Sequence, residues 1–499
     1  MALPSRPNIV LLVADHWRAE SAGYWGNGVV QTPCIDALVK EGAGFRKCFV
    51  QNPVSTPSRV ALASGRYAHV CGHRTMHHHL RRHEANMLRT FKENGYFVWW
   101  GGKNDMIALE VVDDSCHIRV QDAMPSSIPA FRPEIQPGHR LYRSFLQGRI
   151  PEGQQIGFHF MDDASTRKAC EFIRACPGGQ PFFLLLTLVG PHPPFVVDEP
   201  WYSMHDRAKV PFPRRQKVPF EGKPQIMKRV SERMKLGELT EADWREIVAV
   251  FYGMVARVDH SFGQVIEALK AKGIYDNSIV IITSDHGEYC GDYLLVEKTQ
   301  NTFEDVLTNV PLAIRAPGLI PLAAPSDALC QWIDILPTLH ELTGVEPVED
   351  NNGRSLAPIL RGETAEIRDA VYCEGGALPS EEHTHEHDIG PDSHYWARLS
   401  VQRGEREWHG KAVMIRTRQY KYVRRLFDTD ELYDMTTDPN ELHNRIDDPA
   451  LAQVKLDLQQ RLLTWFLETG DAVPWRWNPR SWGEKHPAWS AKARNYGTL

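Results

Sequence analysis

Reactive side chains stand at the ends of four short apolar runs of this sequence. The four endings are Asp15-His16, Lys103-Asn104-Asp105, Gly190-Pro191-His192-Pro193 and Asp285-His286-Gly287-Glu288. Carboxylates, imidazoles and a lysine that met at one rim would bind a divalent cation and hold an anionic substrate beside it. One such ending alone would be ordinary turn chemistry, so the hypothesis depends on all four endings meeting.

A fifth segment, Ser55-Thr56-Pro57-Ser58-Arg59, supplies a candidate nucleophile. Pro57 and Ser58 suit the start of a helix, which would place Ser55 in the N-terminal turn beside unpaired backbone N–H groups. The partial positive charge there favours an oxyanion or a deprotonated hydroxyl. Arg59 lies one helical turn beyond Ser55 and would present its guanidinium on the same face. Taken alone, a serine in such a segment is more often a simple N-cap.

The apolar runs that end in these residues predict a largely parallel sheet covered by helices on both faces. The clearest runs are residues 8–14, 96–101, 182–189 and 278–284. Helical spacing over residues 241–272, with Thr240 and Asp243 placed as a capping box and Gly273 just beyond, predicts one long amphipathic helix. Because ligands bind beyond the carboxyl ends of the strands in such a sheet, we expect the four endings to converge.

The composition of the sequence changes near residue 370. We expect a catalytic domain over residues 1–370 and a smaller α+β domain over residues 371–470, where short alternating runs precede a helical pattern. The last segment, residues 471–499, carries four tryptophans among Pro, Arg and Lys. We expect this tail to pack over a surface, at a subunit contact of a homo-oligomer.

The overall composition is globular and disfavours two kinds of partner. Of the 499 residues, 42% are hydrophobic and 24% charged, and the net charge of −6 disfavours nucleic acid as a ligand. No apolar run approaches the roughly 20 residues that span a bilayer, so we expect no membrane insertion. The nine cysteines form no CxxC pair, and the first apolar run is too short for an export signal. Together these observations predict a cytoplasmic protein.

The segment around Ser55 resembles the signature of a known enzyme family. Ser55-x-Pro57-x-Arg59, with Leu-x-Ser-Gly-Arg at residues 62–66, is similar to the signature of the sulfatases, within the alkaline-phosphatase-like superfamily. Further segments resemble sulfatase segments in the same order: RPNIVLLVAD at 6–15, GPHPPF at 190–195, SDHGEYCGDYLLVEK at 284–298 and ELYDMTTDPNELHN at 431–444. The resemblance implies an alkaline-phosphatase-like α/β fold with a largely parallel central sheet and a smaller α+β C-terminal domain.

The resemblance also implies a metal centre. Asp15, Asp285 and His286 would bind one divalent ion, Ser55 would complete the coordination as the nucleophile, and His16 is a further candidate ligand. Sulfatases commonly hold Ca²⁺ with oxygen ligands. Imidazole ligands favour Mn²⁺ or Zn²⁺ instead, so the sequence leaves the identity of the metal open.

Other residues would handle the substrate. By resemblance, Arg59 would hold and polarise the nucleophile, and Lys103 and Lys298 would bind the anionic ester. His192 would assist the departing oxygen. Asp105 stands where the family usually has histidine, which puts one anion contact in question, and the histidine-rich stretch that follows Ser55 offers His77 as a pocket residue.

Position 55 departs most from the family. Sulfatases usually carry cysteine there, which is oxidised after translation to formylglycine, and a minority carry a serine that a maturase can also convert. The hydrated aldehyde has a second hydroxyl whose deprotonation expels sulfate, an exit that plain serine lacks. Ser55 is therefore a convertible serine, a plain phosphoryl nucleophile or an engineered replacement of cysteine.

These observations predict a metal-dependent hydrolase of small-molecule or carbohydrate sulfate esters. A phosphodiesterase or phosphonate monoester hydrolase on the same scaffold is the alternative, because phosphoryl enzymes of the superfamily use plain serine or threonine. A metal-binding relative without catalysis is a different class. The complete set of site residues disfavours that class.

Overall fold

The computed structural model of the chain describes residues 6–121, 132, 134–154, 157–348, 350–386 and 390–471. The strands are β1 (Asn8–Ala14), β2 (Ala43–Phe49), β3 (Phe97–Gly102), β4 (Ile118–Val120), β5 (Leu146–Arg149), β6 (Phe182–Thr187), β7 (Phe195–Val197), β8 (Ser278–Ser284), β9 (Asn309–Arg315), β10 (Cys330–Gln331), β11 (Ala370–Gly375), β12 (Ala412–Thr417), β13 (Tyr420–Arg425) and β14 (Glu431–Asp434). The α-helices are α1 (Pro33–Glu41), α2 (Ser55–Ser64), α3 (Ala68–Cys71), α4 (Met87–Glu93), α5 (Val112–Ser115), α6 (Gly157–Ala175), α7 (Gln225–Met234), α8 (Glu241–Lys272), α9 (Asp305–Thr308), α10 (Ile335–Thr343), α11 (Ala357–Leu360), α12 (Trp396–Gly404) and α13 (Ala452–Thr469).

Eight strands form the central sheet, in the order β10-β2-β9-β8-β1-β6-β3-β4. β9 runs antiparallel to its neighbours β2 and β8, and the other adjacent pairs are parallel. A separate sheet, β11-β12-β13-β14, is antiparallel throughout. The predicted α/β fold with a smaller α+β part is therefore confirmed.

β1 shows why the sheet needs helices on both faces. Its alternate side chains Val10 and Leu12 belong to one hydrophobic core, which includes the apolar face of α8. Ile9 and Leu11 belong to the other core, with residues of α2, α4 and α10. All four side chains are fully buried, as a near-continuous apolar strand requires.

The predicted strands and helix lie close to their expected positions. Two strands match the expected bounds, and β3 and β6 differ from the expected residues 96–101 and 182–189 by one and two residues at their ends. α8 spans Glu241–Lys272, with the Thr240–Asp243 capping box formed and Gly273 in the left-handed conformation at its end.

The C-terminal sheet packs against α2 and the residues that follow it. One hydrophobic cluster joins Ala61 of α2 and Tyr67 to Ile415 and Leu432 of the C-terminal sheet and to Trp465 of α13. The rings of Tyr67 and Trp465 lie 4.8 Å apart, edge to face. The sequence boundary at residue 370 remains a prediction, and the tail beyond residue 471 lies outside the described residues.

Two absences complete the description. Within the described residues, which include all nine cysteines, no disulfide bond is formed. No helix in the same part of the chain is both long and apolar enough to cross a membrane.

Candidate active site

The four reactive strand ends meet because the strands are in register. Ala14 pairs with Ser284, so Asp15 and Asp285 leave neighbouring strands side by side. The backbone N–H of Asp285 donates to the Ala14 carbonyl at 3.2 Å, and that of Asp15 donates to the Gly190 carbonyl at 3.1 Å. The predicted convergence of β1, β3, β6 and β8 on one rim is therefore present, with the loop that carries His192 beside it.

The Asp15 carboxylate lies at the centre of this rim and is fully buried. Lys103 Nζ lies 2.6 Å from Asp15 Oδ2, and Arg59 Nη2 lies 3.3 Å from the same atom. Burial alone would raise the pKa of Asp15, but Lys103 and Arg59 outweigh burial and hold that pKa well below its usual range. Asp15 is thus an anion at neutral pH, as a metal ligand must be.

Ser55 begins α2 and points its hydroxyl into the rim. Its Oγ lies 3.0 Å from His286 Nε2 and 3.4 Å from Asp15 Oδ1. Arg59, one turn along α2, donates from Nε to Asp285 Oδ2 at 2.7 Å. Within the described residues, Arg59 Nη1 is buried and has no hydrogen-bond partner.

Hydrogen bonds at Nδ1 orient two imidazoles in the rim. His286 Nδ1–H donates to the Gly287 carbonyl at 2.9 Å, which leaves its Nε2 lone pair facing Ser55. His16 Nδ1 pairs with Glu288 Oε2 at 2.6 Å. The ligand atoms of Asp15, His16 and His286 all lie within 4.8 Å of one another. This set is a carboxylate with two oriented imidazoles, which suits a divalent transition metal.

Burial sets the charge of these groups. It lowers the pKa of His286 to about 3, with Lys298 adding to the effect, so the imidazole is neutral. It raises the pKa of Asp285 to about 6 against the opposing charge of Arg59. Glu288, which the sequence analysis quoted without giving it a role, is fully buried with a pKa raised to about 8. Its place three residues after Asp285 was the only sequence signal for its part in holding His16.

His192 lies against the same rim. Its ring centroid is 4.2 Å from that of His16, and its Nδ1–H donates to the Pro193 carbonyl at 2.6 Å. Burial, reinforced by Lys298, lowers the pKa of His192 to about 3. The imidazole therefore presents an Nε2 lone pair to the site, and this atom must gain a proton before it can donate one.

Asp162 of α6 holds the loop that carries His192. Its carboxylate accepts the backbone N–H groups of Val189 and Gly190, each at 2.8 Å. The side chain is buried, which raises the pKa of Asp162 to about 7. Sequence reasoning missed this residue, because nothing in the pattern of α6 sets Asp162 apart from the neighbouring Asp163.

Two of the residues predicted to bind substrate, Asp105 and His77, differ in burial. Asp105 is half-buried, and its Oδ2 pairs with Lys103 Nζ at 2.9 Å. His77 is exposed, whereas His79 has a buried Nε2 without a hydrogen-bond partner in the described part of the chain. A bridge between Leu80 and Ile107 brings His79 beside Asp105, whose charge acts to raise the pKa of His79 against its burial. His77 remains a sequence prediction, and His79 is the histidine of this stretch that the fold sets beside Asp105.

Lys298 closes the rim from the loop after β8. Its Nζ contacts His16 Nε2 and lies 3.3 Å from Glu297 Oε1. Glu297 is also paired with Arg398, on α12, with Nε 3.1 Å from Oε2. Sequence reasoning found Lys298 through the family resemblance but did not find Glu297 or Arg398, since a contact between residues 101 positions apart leaves no local pattern.

Comparison with known proteins gives the family. A family model described as Sulfatase matches residues 7–345, and one described as N-sulphoglucosamine sulphohydrolase, C-terminal, matches residues 297–399 and 402–466. The multifunctional alkaline phosphatase superfamily protein PehA of Trinickia caryophylli is 26% identical over 514 residues, covering 94% of this chain and 96% of its own. Arylsulfatase K of Canis lupus familiaris is 26% identical over 468 residues, covering 88% of this chain and 79% of its own.

A solved structure supports the fold independently. The phosphonate monoester hydrolase of Agrobacterium radiobacter superimposes with a TM-score of 0.74 at 24% identity, covering 93% of this chain and 96% of its own. At that identity the likeness concerns the fold alone. The family model, by contrast, covers well over half of the chain and begins at the strand that leads to Asp15. The predicted family is therefore confirmed: the chain belongs to the sulfatase family, the sulfuric ester hydrolases of the alkaline-phosphatase-like superfamily.

Proposed function

We propose that this chain hydrolyses sulfate esters at a divalent metal centre, with residue 55 as the nucleophile. The observation that supports this most directly is the position of Ser55 Oγ, within 3.4 Å of both His286 Nε2 and Asp15 Oδ1. A nucleophile held this close to ligands for one cation fits displacement at a sulfate or phosphate centre. The sulfatase family match favours sulfur.

The metal would be held by Asp15, Asp285, His286 and the oxygen of residue 55. An anionic carboxylate beside a neutral imidazole whose lone pair faces Ser55 fits such an ion, and the imidazole favours Mn²⁺ or Zn²⁺ over the Ca²⁺ implied by family resemblance. When bound, the ion lowers the pKa of the nucleophilic oxygen and offsets charge that develops in the transition state. His16, turned inward by Glu288, is a further candidate ligand.

Cationic side chains would bind the ester. Lys103 and Lys298 stand on either side of the Asp15–His16 pair and would each donate to an oxygen of the sulfate group. Arg59 orients Asp285, and its buried Nη1 would donate to an oxygen of the ester or of the nucleophile. Asp105 holds Lys103 from the outer side.

His192 would protonate the leaving oxygen. Its Nδ1–H is committed to the Pro193 carbonyl, so a proton gained at Nε2 would make an imidazolium that can pass that proton to the departing group. The negative charge of a bound ester would favour this protonated form. Asp162 would act on His192 indirectly, by fixing its loop.

Conversion of Ser55 to formylglycine by a maturase would complete the proposed enzyme. The aldehyde hydrate would attack sulfur through one hydroxyl, and deprotonation of the other would expel sulfate and regenerate the aldehyde. Unconverted Ser55 would favour the alternative. A phosphoseryl enzyme can be hydrolysed at phosphorus, whereas a sulfated serine lacks the second hydroxyl whose deprotonation expels sulfate. Plain serine would therefore support a phosphodiesterase or phosphonate monoester hydrolase.

Peptide mass spectrometry of residue 55, with turnover of matched aryl sulfate and aryl phosphonate esters, tests this proposal. Formylglycine with faster sulfate turnover would support a sulfatase, whereas plain serine with faster phosphonate turnover would replace it by the alternative. Ser55→Ala should abolish both activities. Ser64→Ala is the matched control, since Ser64 lies on the same helix and its hydroxyl donates to the Val60 carbonyl and accepts from the Arg66 N–H, neither of them a residue of the rim.

Location and assembly stay proposals as well. The odd number of cysteines supports a reducing, cytoplasmic compartment. A homo-oligomer whose contact includes the Trp-rich tail is proposed from the sequence of residues 472–499 alone, which lie outside the described residues. Small-molecule and carbohydrate sulfate esters are both proposed substrates.

A further inference from the structure

Lys298 is one end of a buried line of alternating charges that leads out of the site. Lys298 Nζ lies 3.3 Å from Glu297 Oε1, and Glu297 Oε2 lies 3.1 Å from Arg398 Nε. Arg398 Nη1 lies 2.7 Å from Glu386 Oε1 at the other end. The exposed fractions of these side chains are 4%, 5%, 9% and 17% in that order, so water screens the inner three charges very little.

The two halves of this line belong to different parts of the fold. Glu297 is fixed by its backbone N–H, which donates to Glu288 Oε1 in the site. Arg398 lies on α12, which α7 holds through a hydrogen bond from Arg233 Nη1 to Ser400 Oγ at 2.8 Å. The Glu297–Arg398 contact is therefore a direct electrostatic link between the loop after β8 and α12.

A carboxylate beside Lys298 competes with an anionic substrate for its ammonium group. If Glu297 and Lys298 formed an isolated pair, their charges would cancel and little attraction would remain for a sulfate oxygen. Arg398 changes this balance, because the Glu297 charge is shared between two cations and the inner three groups carry a net positive charge. Glu386 is the outermost group and contacts Arg398 on the side away from Glu297.

We propose that Arg398 is a positioning residue for substrate binding: by pairing with Glu297 it keeps the carboxylate from neutralising Lys298. The inference rests on the proposed function only in taking Lys298 as an anion-binding group. It makes no choice between a sulfate and a phosphonate ester. It predicts that Arg398, which lies outside the strand ends, controls KM more than kcat.

Binding of inorganic sulfate and of phenylphosphonate to the metal-loaded full chain tests the inference by calorimetry. Arg398→Met should weaken binding of both anions by about tenfold and raise KM with a smaller change in kcat. Arg398→Lys should recover part of the affinity, since it restores the charge but not the planar contact. Arg403→Met is the control: it removes the same charge from the same helix, and Arg403 donates to the Glu386 carbonyl, not to Glu297.

The double variant Arg398→Met/Glu297→Gln decides the mechanism. Once the competing carboxylate is neutral, the loss of Arg398 should matter little, and affinity should return to within about threefold of the unmodified chain. The inference is overturned if Arg398→Met binds both anions normally, if the double variant stays as weak as the single one, or if the unmodified chain binds neither anion. Hydrolysis of phosphonate but not sulfate esters would overturn the proposed function and leave this result standing.

Discussion

The central sheet and the part of the chain after residue 370 contribute to the site in different ways. β1 and β8 pair residue by residue up to Ala14 and Ser284, so backbone hydrogen bonds alone place Asp15 beside Asp285. Within the described residues, the part of the chain after residue 370 meets the loop of Lys298 through a side-chain ion pair, Arg398 with Glu297. Strand register fixes the backbone positions of residues such as Asp15, whereas a group held by an ion pair depends on the whole set of charges around it.

This contrast predicts a gradient of effects. Residues at the strand ends carry the proposed chemistry itself, so their loss should remove activity. Residues that support the rim from outside should change binding or stability instead.

The largest effect is expected at Asp285. Asp285→Ala removes a proposed metal ligand and the acceptor for Arg59 Nε, so both bound metal and turnover should fall by about three orders of magnitude. Metal content by plasma mass spectrometry and turnover of an aryl sulfate measure this. The control is Asp276→Ala, an exposed carboxylate just before β8 that pairs with Arg315. A metal-free Asp285 variant with full activity would refute the metal centre.

A smaller and selective effect is expected at His192. His192→Ala should reduce turnover of alkyl esters by about 10²-fold and leave nitrophenyl esters much less affected, because only a poor leaving group needs a proton as it departs. Steady-state rates on a series of esters with rising leaving-group pKa measure this. Equal losses across the series would show that His192 binds substrate and does not act as the acid.

The smallest effect on turnover is expected at Asp162, which contacts only the backbone of the His192 loop. Asp162→Asn replaces one of two acceptor oxygens by a donor and, near pH 4, where Asp162 contributes to stability, should lower the free energy of unfolding by about 1–3 kcal/mol. Chemical denaturation of the metal-loaded chain measures this.

The pH dependence gives a sharper readout of Asp162. Burial raises the pKa of Asp162 from 3.8 to about 7 in the folded chain. Between about pH 4 and 7 the carboxyl group is therefore ionised in the unfolded chain but protonated in the folded chain. The contribution of Asp162 to stability is therefore present below about pH 4 and is lost as the pH rises to 7. Asp162→Asn should flatten that part of the stability profile. An unchanged slope would show that Asp162 is ionised throughout.

The sequence predicted the sheet and most of the rim, for a physical reason. A strand buried on both faces must be apolar throughout, so the first charged residue after each run marks its end, as at Asp15 and Asp285. Residues that meet by tertiary packing carry no such mark. The histidine-rich stretch after Ser55 illustrates this, since the bridge between Leu80 and Ile107, which places His79 near Asp105, leaves no pattern in the sequence.

The shared hydrophobic cluster beneath α2 limits how this chain can be shortened. Tyr67 and Trp465 are both buried in this cluster, where their rings pack edge to face. His69 Nε2 contacts the Thr469 hydroxyl near the end of α13. A chain cut at residue 370 would leave α2 with an exposed apolar flank, so it should aggregate or lose the Ser55 geometry. The boundary at residue 370 remains a prediction from composition, and α2 packs against residues on both sides of it.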